Sequence, residues 1–301
     1  MSVKAEEYIS QAEKSLNKFS FFSSTAKYED AAELYAKAAN TFKVAQMWSE
    51  AGKAYMTAAD LYLTKLKDQE SDACQNMVNA GGCFKRVSPE EAISAYDGAI
   101  DIWLESGRMN MAAKLAKEIA EIQESNAGLV GEAIDSYQRA ADYYDMADAK
   151  SQSSAMLAKV AELSSSALNP PDYHRAGGIY EKLGRSSLES NLLKFNAKGY
   201  FLQALLCHLA QGDSIAASQK LESFRNIDYT LADSREGKFA GQLIECIEKY
   251  DSDSFATACA EFDRISRLDP WKTAILLKVK RTIDGGEMGN DGNNDDDFDL
   301  T

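Results

Sequence analysis

One spacing dominates what this chain can fold into: an alanine, a tyrosine four residues on, an alanine three further, and an aromatic residue four beyond that. Complete copies are Ala31-Tyr35-Ala38-Phe42, Ala51-Tyr55-Ala58-Tyr62, Ala92-Tyr96-Ala99-Trp103 and Ala133-Tyr137-Ala140-Tyr144, and a fifth begins at Ala176 and Tyr180. Offsets of four, seven and eleven fall on one stripe of an α-helix, where small residues let neighbouring helices approach and aromatic rings fill the gaps. The tyrosines recur at intervals of 20, 41, 41 and 43 residues. The short interval suits the two helices of one hairpin, and the longer ones suit successive hairpins. Such a period belongs to a solenoid, in which stacking supplies a core that no single hairpin can form. It exceeds the roughly 34 residues of an ordinary tetratricopeptide unit, so a tetratricopeptide-like hairpin with longer helices or loops is expected.

Composition agrees. Only 4 prolines occur in 301 residues, and Ala, Leu, Glu and Lys dominate long stretches, which favours an all-α fold. Turn signals fall at Gly81-Gly82, Ser88-Pro89, Gly107, Asn126-Ala127-Gly128 and Asn169-Pro170-Pro171. Beyond residue 185 the Ala-Tyr pattern fades while helical periodicity continues through Asn191–Ala210, Ser234–Lys249, Ser254–Ile265 and Trp271–Ile283. The expected organisation is a hairpin array over 1–185 with a phenylalanine-bearing loop near 19–25, a C-terminal helical bundle over 186–284, and a flexible acidic tail over 285–301. The bundle would cap the last apolar face of the array. The tail, GEMGNDGNND followed by Asp295-Asp296-Asp297-Phe298-Asp299-Leu300-Thr301, is too polar and glycine-rich to bury a core.

No stretch approaches the roughly 20 apolar residues a membrane span requires, and MSVKAEEYISQAEK is charged too early for a secretory signal. A soluble intracellular chain is expected. Cys74, Cys83, Cys207, Cys246 and Cys259 are odd in number and lack CxxC spacing, which reads as buried free thiols. Net charge is −14, and the acids after Arg281 contribute seven of it, leaving −7 for the rest. That balance opposes bulk nucleic-acid binding. His174 and His208 stand beside no plausible nucleophile, and Gly52-Lys53 lacks the GxxxxGK spacing of a phosphate loop. No catalytic site, metal or cofactor is indicated.

Three groups of residues invite a functional reading. Phe19, Phe21 and Phe22 cluster in a serine-rich connection, where they either dip into a bilayer or cover the end of the first hairpin. Arg108, Lys114, Lys117, Lys159, Lys194, Lys198 and Arg235 fall on successive helices; stacked hairpins could align them toward an acidic helical partner, or each could be a solvated face. The tail ends in Phe298 and Leu300 behind an acidic run, a pattern suited to docking as well as to solubility.

The segments Asn191–Phe201 with Cys207-His208-Leu209, Ala232–Glu236, Glu261-Phe262-Asp263 and Arg267–Lys272 resemble the soluble NSF attachment proteins, and specifically their alpha type. Similarity runs from Ala12 to the C-terminus. The resemblance implies a twisted sheet of antiparallel helical hairpins with a C-terminal bundle, and an adaptor that is not an enzyme. Such adaptors are monomers in solution, and several copies surround a SNARE four-helix bundle. They recruit and activate the hexameric AAA+ ATPase NSF, which disassembles the bundle in vesicle-mediated transport, including ER-Golgi transport, and in membrane fusion. The implied location is the cytoplasm, with peripheral attachment to the cytoplasmic face of vesicle, Golgi, vacuolar or plasma membranes.

By the same resemblance Phe19, Phe21 and Phe22 contact membrane, and Arg108, Lys114, Lys159, Lys194, Lys198 and Arg235 face SNAREs. Asp213, Glu245, Glu248, Asp297, Asp299 and Leu300 would bind and stimulate the ATPase. The sequence departs from the family pattern in a shorter phenylalanine loop, in Ala155 where a lysine is expected, and in Lys249 where a further acid is expected. Two other function classes compete. A peptide-binding scaffold of the co-chaperone kind would show a concave groove blocked by free peptide, and a helical enzyme would show a deep pocket of convergent ionisable groups.

Overall fold

The computed structural model describes residues 2–17, 24–191 and 193–285. Among these the chain forms fourteen α-helices and no strand, and it divides into two compact units between Met156 and Leu157.

The first unit is a run of helices α1 (Ser2–Leu16), α2 (Ser24–Val44), α3 (Trp48–Lys65), α4 (Glu70–Phe84), α5 (Pro89–Glu105), α6 (Met109–Glu124) and α7 (Val130–Met146), followed by the first part of α8 (Lys150–Ser166). From α1 to α7 each helix packs on the one before and the one after it. Short connections force neighbours to run antiparallel. The alanine stripe is the reason the stack closes up: Ala31, Ala38, Ala51, Ala58, Ala92, Ala99, Ala133 and Ala140 are all fully buried. Tyr55 and Tyr137 lie among the largest wholly buried side chains, each contributing roughly 1.5–3 kcal/mol of apolar burial. Tyr55 keeps its hydroxyl satisfied by donating to Asn40 Oδ1 at 2.8 Å.

One turn signal is corrected. Gly81 and Gly82 lie inside α4 rather than between helices. Glycine is needed at 81 for close approach, since a Cβ there would stand 2.4 Å from the Tyr96 ring of α5. Gly107, in contrast, is a true helix terminator: it ends α5 at φ +72°, a conformation that costs glycine nothing.

The second unit contains the rest of α8, then α9 (Tyr173–Glu189), α10 (Ala197–Ala210), α11 (Ser214–Ile227), α12 (Arg235–Glu248), α13 (Ser252–Ile265) and α14 (Pro270–Ile283). The Ala-Tyr pattern fades here because the packing plan changes. Helix α10 is buried on nearly every side, by Phe201, Leu202, Leu205, Leu206, Cys207 and Leu209 among others, and it packs on α9, α11, α12 and α14. A helix that is apolar all round belongs at the centre of a bundle. Helix α9 still carries Ala176 and Tyr180, yet it packs on α10. The compact unit therefore starts before the 185/186 division read from the fading pattern.

Aromatic pairs lock this core. Phe201 stacks on Phe224 with centroids 4.3 Å apart, and Phe239 on Phe262 at 4.2 Å. Trp271 meets Tyr180 edge-on at 5.4 Å, and its Nε1–H donates to Ser165 Oγ at 2.9 Å in the interior. Trp271→Phe should therefore lower stability by about 1–3 kcal/mol through the lost hydrogen bond and the small void, measurable as a lower urea midpoint.

Candidate docking surfaces

In the first unit Arg108 is the N-cap residue of α6 and exposed, and Lys114 is exposed one turn into the same helix. Lys117 is tied to Glu121 at 3.4 Å, and Lys85, the C-cap of α4, bridges to Glu118 at 2.7 Å. The basic character of this surface is thus partly neutralised within the molecule.

In the second unit Lys159 lies 3.6 Å from Glu162. Lys194 and Lys198 do not share one helix, as the periodicity had suggested. Lys194 belongs to a 3-10 turn, Lys194–Asn196, and α10 begins at Ala197. Both lysines nevertheless line one groove of about 470 Å³, together with Leu188, Phe195 and Tyr229. Phe195 is 81% exposed and Tyr229 85%, unusual for rings of this size in a stable core. Lys194 Nζ sits 5.6 Å from the Phe195 ring centroid.

Tyr229 enters from another direction, on a 3-10 turn, Tyr229–Leu231, between α11 and α12. That turn is held by Asp228, whose carboxylate accepts from Thr230 N at 3.0 Å and Thr230 Oγ1 at 2.6 Å. Four residues beyond it, Arg235 opens α12 and donates to the Ile265 carbonyl at 3.5 Å. Sequence reading singled out the lysines and passed over both rings. The signal for Tyr229 was available: a tyrosine in Asn226-Ile227-Asp228-Tyr229-Thr230 has no large apolar neighbour three or four residues away to bury it.

The acids gather at the opposite end of the bundle. Asp213 follows the C-terminus of α10, a 14-residue helix, which places it about 21 Å from the lysine groove. It is exposed and caps α11 by accepting from Ala216 N at 2.8 Å. Gly241 of α12 lies against Leu221 and Arg225 of α11. Carried along the antiparallel pair, this register sets the first turn of α11 beside the last turn of α12, where Glu245 and Glu248 are exposed. Asp213, Glu245 and Glu248 therefore share one end. Glu245 is bonded to Lys249, which raises the lysine pKa through the hydrogen bond and the adjacent charge. Asp251 caps α13, and the Ser254 hydroxyl and N–H hold its carboxyl below the ordinary range.

Phe19, Phe21, Phe22, Asp297, Asp299 and Leu300, with the rest of the tail from residue 286, lie outside the described residues. All five cysteines are buried, and burial pushes the Cys207 and Cys259 thiols up to about 12, far from a reactive thiolate at neutral pH. His208 is half-buried on α10, and burial together with Lys220 lowers its pKa. Among the described residues no group of His, Cys, Asp and Glu has the arrangement of a metal site, and no helix is long and apolar enough to cross a membrane.

A repeat of antiparallel helices, followed along the chain by a bundle that offers a basic aromatic groove at one end and an acidic end at the other, defines a helical scaffold of the docking class. A family model for the soluble NSF attachment protein, SNAP, matches residues 3–284, and the chain belongs to that family. It is 38% identical over 288 residues to an alpha-soluble NSF attachment protein of Vitis vinifera, covering 96% of this chain and 97% of the relative. To the alpha-soluble NSF attachment protein of Mus musculus it is 40% identical over 284 residues, covering 93% and 94%. A vesicular-fusion protein of Komagataella phaffii is 32% identical over 295 residues, covering 96% and 98%.

Proposed function

We propose that this chain is a non-enzymatic adaptor that binds SNARE complexes and recruits and activates the NSF ATPase to disassemble them in vesicle-mediated transport and membrane fusion. The observation that carries this reading is the separation of two unlike surfaces on one bundle. Lys194, Lys198, Phe195 and Tyr229 sit at one end of α10, and Asp213, Glu245 and Glu248 at the other. Near-complete relatives that bear the NSF attachment and vesicular-fusion names support it.

The basic groove suits an acidic helical bundle: charge steers the encounter, and the two rings then bury apolar surface. Arg108, Lys114, Lys159 and Arg235 face the same partner. At the other end acids meet a basic ATPase surface, and Leu300 with Asp297 and Asp299 of the tail stimulates the motor. ATP is spent by the partner, so this chain needs no cofactor. It is a cytoplasmic monomer, and Phe19, Phe21 and Phe22 hold it against the cytoplasmic face of vesicle, Golgi, vacuolar or plasma membranes. Several copies act together, and linked weak contacts become strong because each bound site raises the effective concentration of the next.

The test is size-exclusion chromatography of this chain with a purified SNARE complex, NSF and a non-hydrolysable ATP analogue. A ternary complex that forms only when this chain is present is the expected result. Failure to bind SNAREs, with binding instead to free peptides, would place the chain among peptide scaffolds.

A further inference from the structure

At the acidic end of the second unit two large apolar side chains stand in solvent. Ile215, in the first turn of α11, is 71% exposed, and Tyr250, in the turn that follows α12, is 79% exposed. The register of α11 against α12 puts both at the same end of that helix pair. Burial accounts for neither residue, so the stability of the fold does not explain why they are apolar.

Backbone geometry sharpens the point at Tyr250. Its φ is +53°, in the left-handed region where a bulky L residue is disfavoured and glycine is at ease. The structural duty of the position is to close α12, which its N–H performs by donating to the Ile247 carbonyl at 3.2 Å. Glycine would do that equally well. The backbone at this position therefore does not call for a tyrosine ring.

Charge tells what the pair faces. Asp213, Glu248 and Asp251 lie at the same end, while Glu245 is held by Lys249. A groove of about 290 Å³ lies between α12 and α13, lined by Glu245, Cys246, Lys249, Asp251 and Glu261 among others. Exposed rings and branched aliphatics within an acidic rim have the make-up of an interface centre, with tyrosine the residue type most often found carrying the energy.

We propose that Ile215 and Tyr250 form the apolar centre of the surface that docks the ATPase, an inference that rests on the adaptor reading above. The partner surface it fits is basic and carries an apolar recess, and the tyrosine face can also receive an arginine or lysine. Because Lys249 withdraws Glu245 from the field, apolar contact carries binding that charge would otherwise supply. Docking is accordingly less sensitive to salt than an exclusively charged contact.

The experiment measures Kd of this chain, loaded on SNARE complex, for NSF at about 50 and 300 mM salt, using wild type, Tyr250→Gly, Ile215→Ser and Glu248→Gln. Tyr250→Gly is expected to weaken binding about tenfold at both salt concentrations, and Ile215→Ser severalfold. The effect of Glu248→Gln should shrink at high salt. The melting temperature of Tyr250→Gly should equal or exceed that of wild type, and its SNARE binding should be unchanged, which separates docking from folding. Wild-type affinity in both Tyr250→Gly and Ile215→Ser overturns the inference. So does a loss of affinity that merely follows a loss of folded protein, or sedimentation showing that the pair instead joins two copies of this chain. If the wild type fails to bind NSF at all, the adaptor reading itself falls.

Discussion

Reversing both lysines of the groove, Lys194→Glu with Lys198→Glu, is expected to weaken binding to a SNARE complex by about a hundredfold per adaptor contact. Each change removes an attraction and adds a repulsion, together about 3 kcal/mol at the effective dielectric of a protein surface. Because several adaptors act on one complex, the loss compounds, and co-sedimentation at micromolar adaptor should show no bound protein. The fold should survive, since Lys194 is exposed and Lys198 half-exposed and neither side chain carries an ion pair that the core needs. A double variant that melts like wild type and still binds SNAREs would remove the groove from the interface.

The second large effect is on stability. Gly237 lies in the first turn of α12, where its N–H donates to the capping Ser234 Oγ at 3.0 Å. A Cβ built there would stand 2.0 Å from the Leu231 carbonyl oxygen and 2.9 Å from its carbon. These are backbone atoms of the 3-10 turn that presents Tyr229, and no rotamer change can move them aside. Gly237→Ala should cost about 3 kcal/mol or more, seen as a fall of roughly 10 °C in Tm. It should also weaken SNARE binding, because the turn must shift and Tyr229 shifts with it. Gly178 of α9 is the control: nothing lies within 4 Å of its added Cβ, so Gly178→Ala should be neutral or stabilising by up to about 1 kcal/mol.

How much of this was legible in the sequence depends on whether the physics was local. The alanine-tyrosine stripe announced helices and their stacking, because spacing on a helix fixes which residues share a face. Tyr55 and Tyr137 are buried where that stripe put them. Gly81 misled because glycine answers two different needs, a turn and a close approach. Only the position of the Tyr96 ring, on the next helix, separates them. Helix α11 went unread for a related reason: its buried face is just Ala217, Leu221 and Phe224, too sparse a pattern to stand out without the neighbours that cover it.

The candidate surfaces divide along the same line. Lys194 and Lys198 were found by their charge, whereas Phe195 and Tyr229 become notable only once the fold leaves them uncovered. Asp213, Glu245 and Glu248 were named from the family pattern, but their shared end depends on the antiparallel register of α11 and α12. The bond from Lys249 to Glu245 follows from their spacing of four residues on one helix, so the weakened charge at that end was already written in the chain. The exposure of Ile215 and Tyr250 was not, since it follows from what the bundle fails to cover.

The most direct measurement is the rate at which NSF and ATP take apart a purified SNARE complex with this chain as the sole adaptor. Wild type should support disassembly, and Leu300→Ala should bind SNAREs normally while losing most of the activity. A wild-type chain that neither binds SNARE complexes nor supports their disassembly under saturating NSF and ATP would contradict the adaptor function.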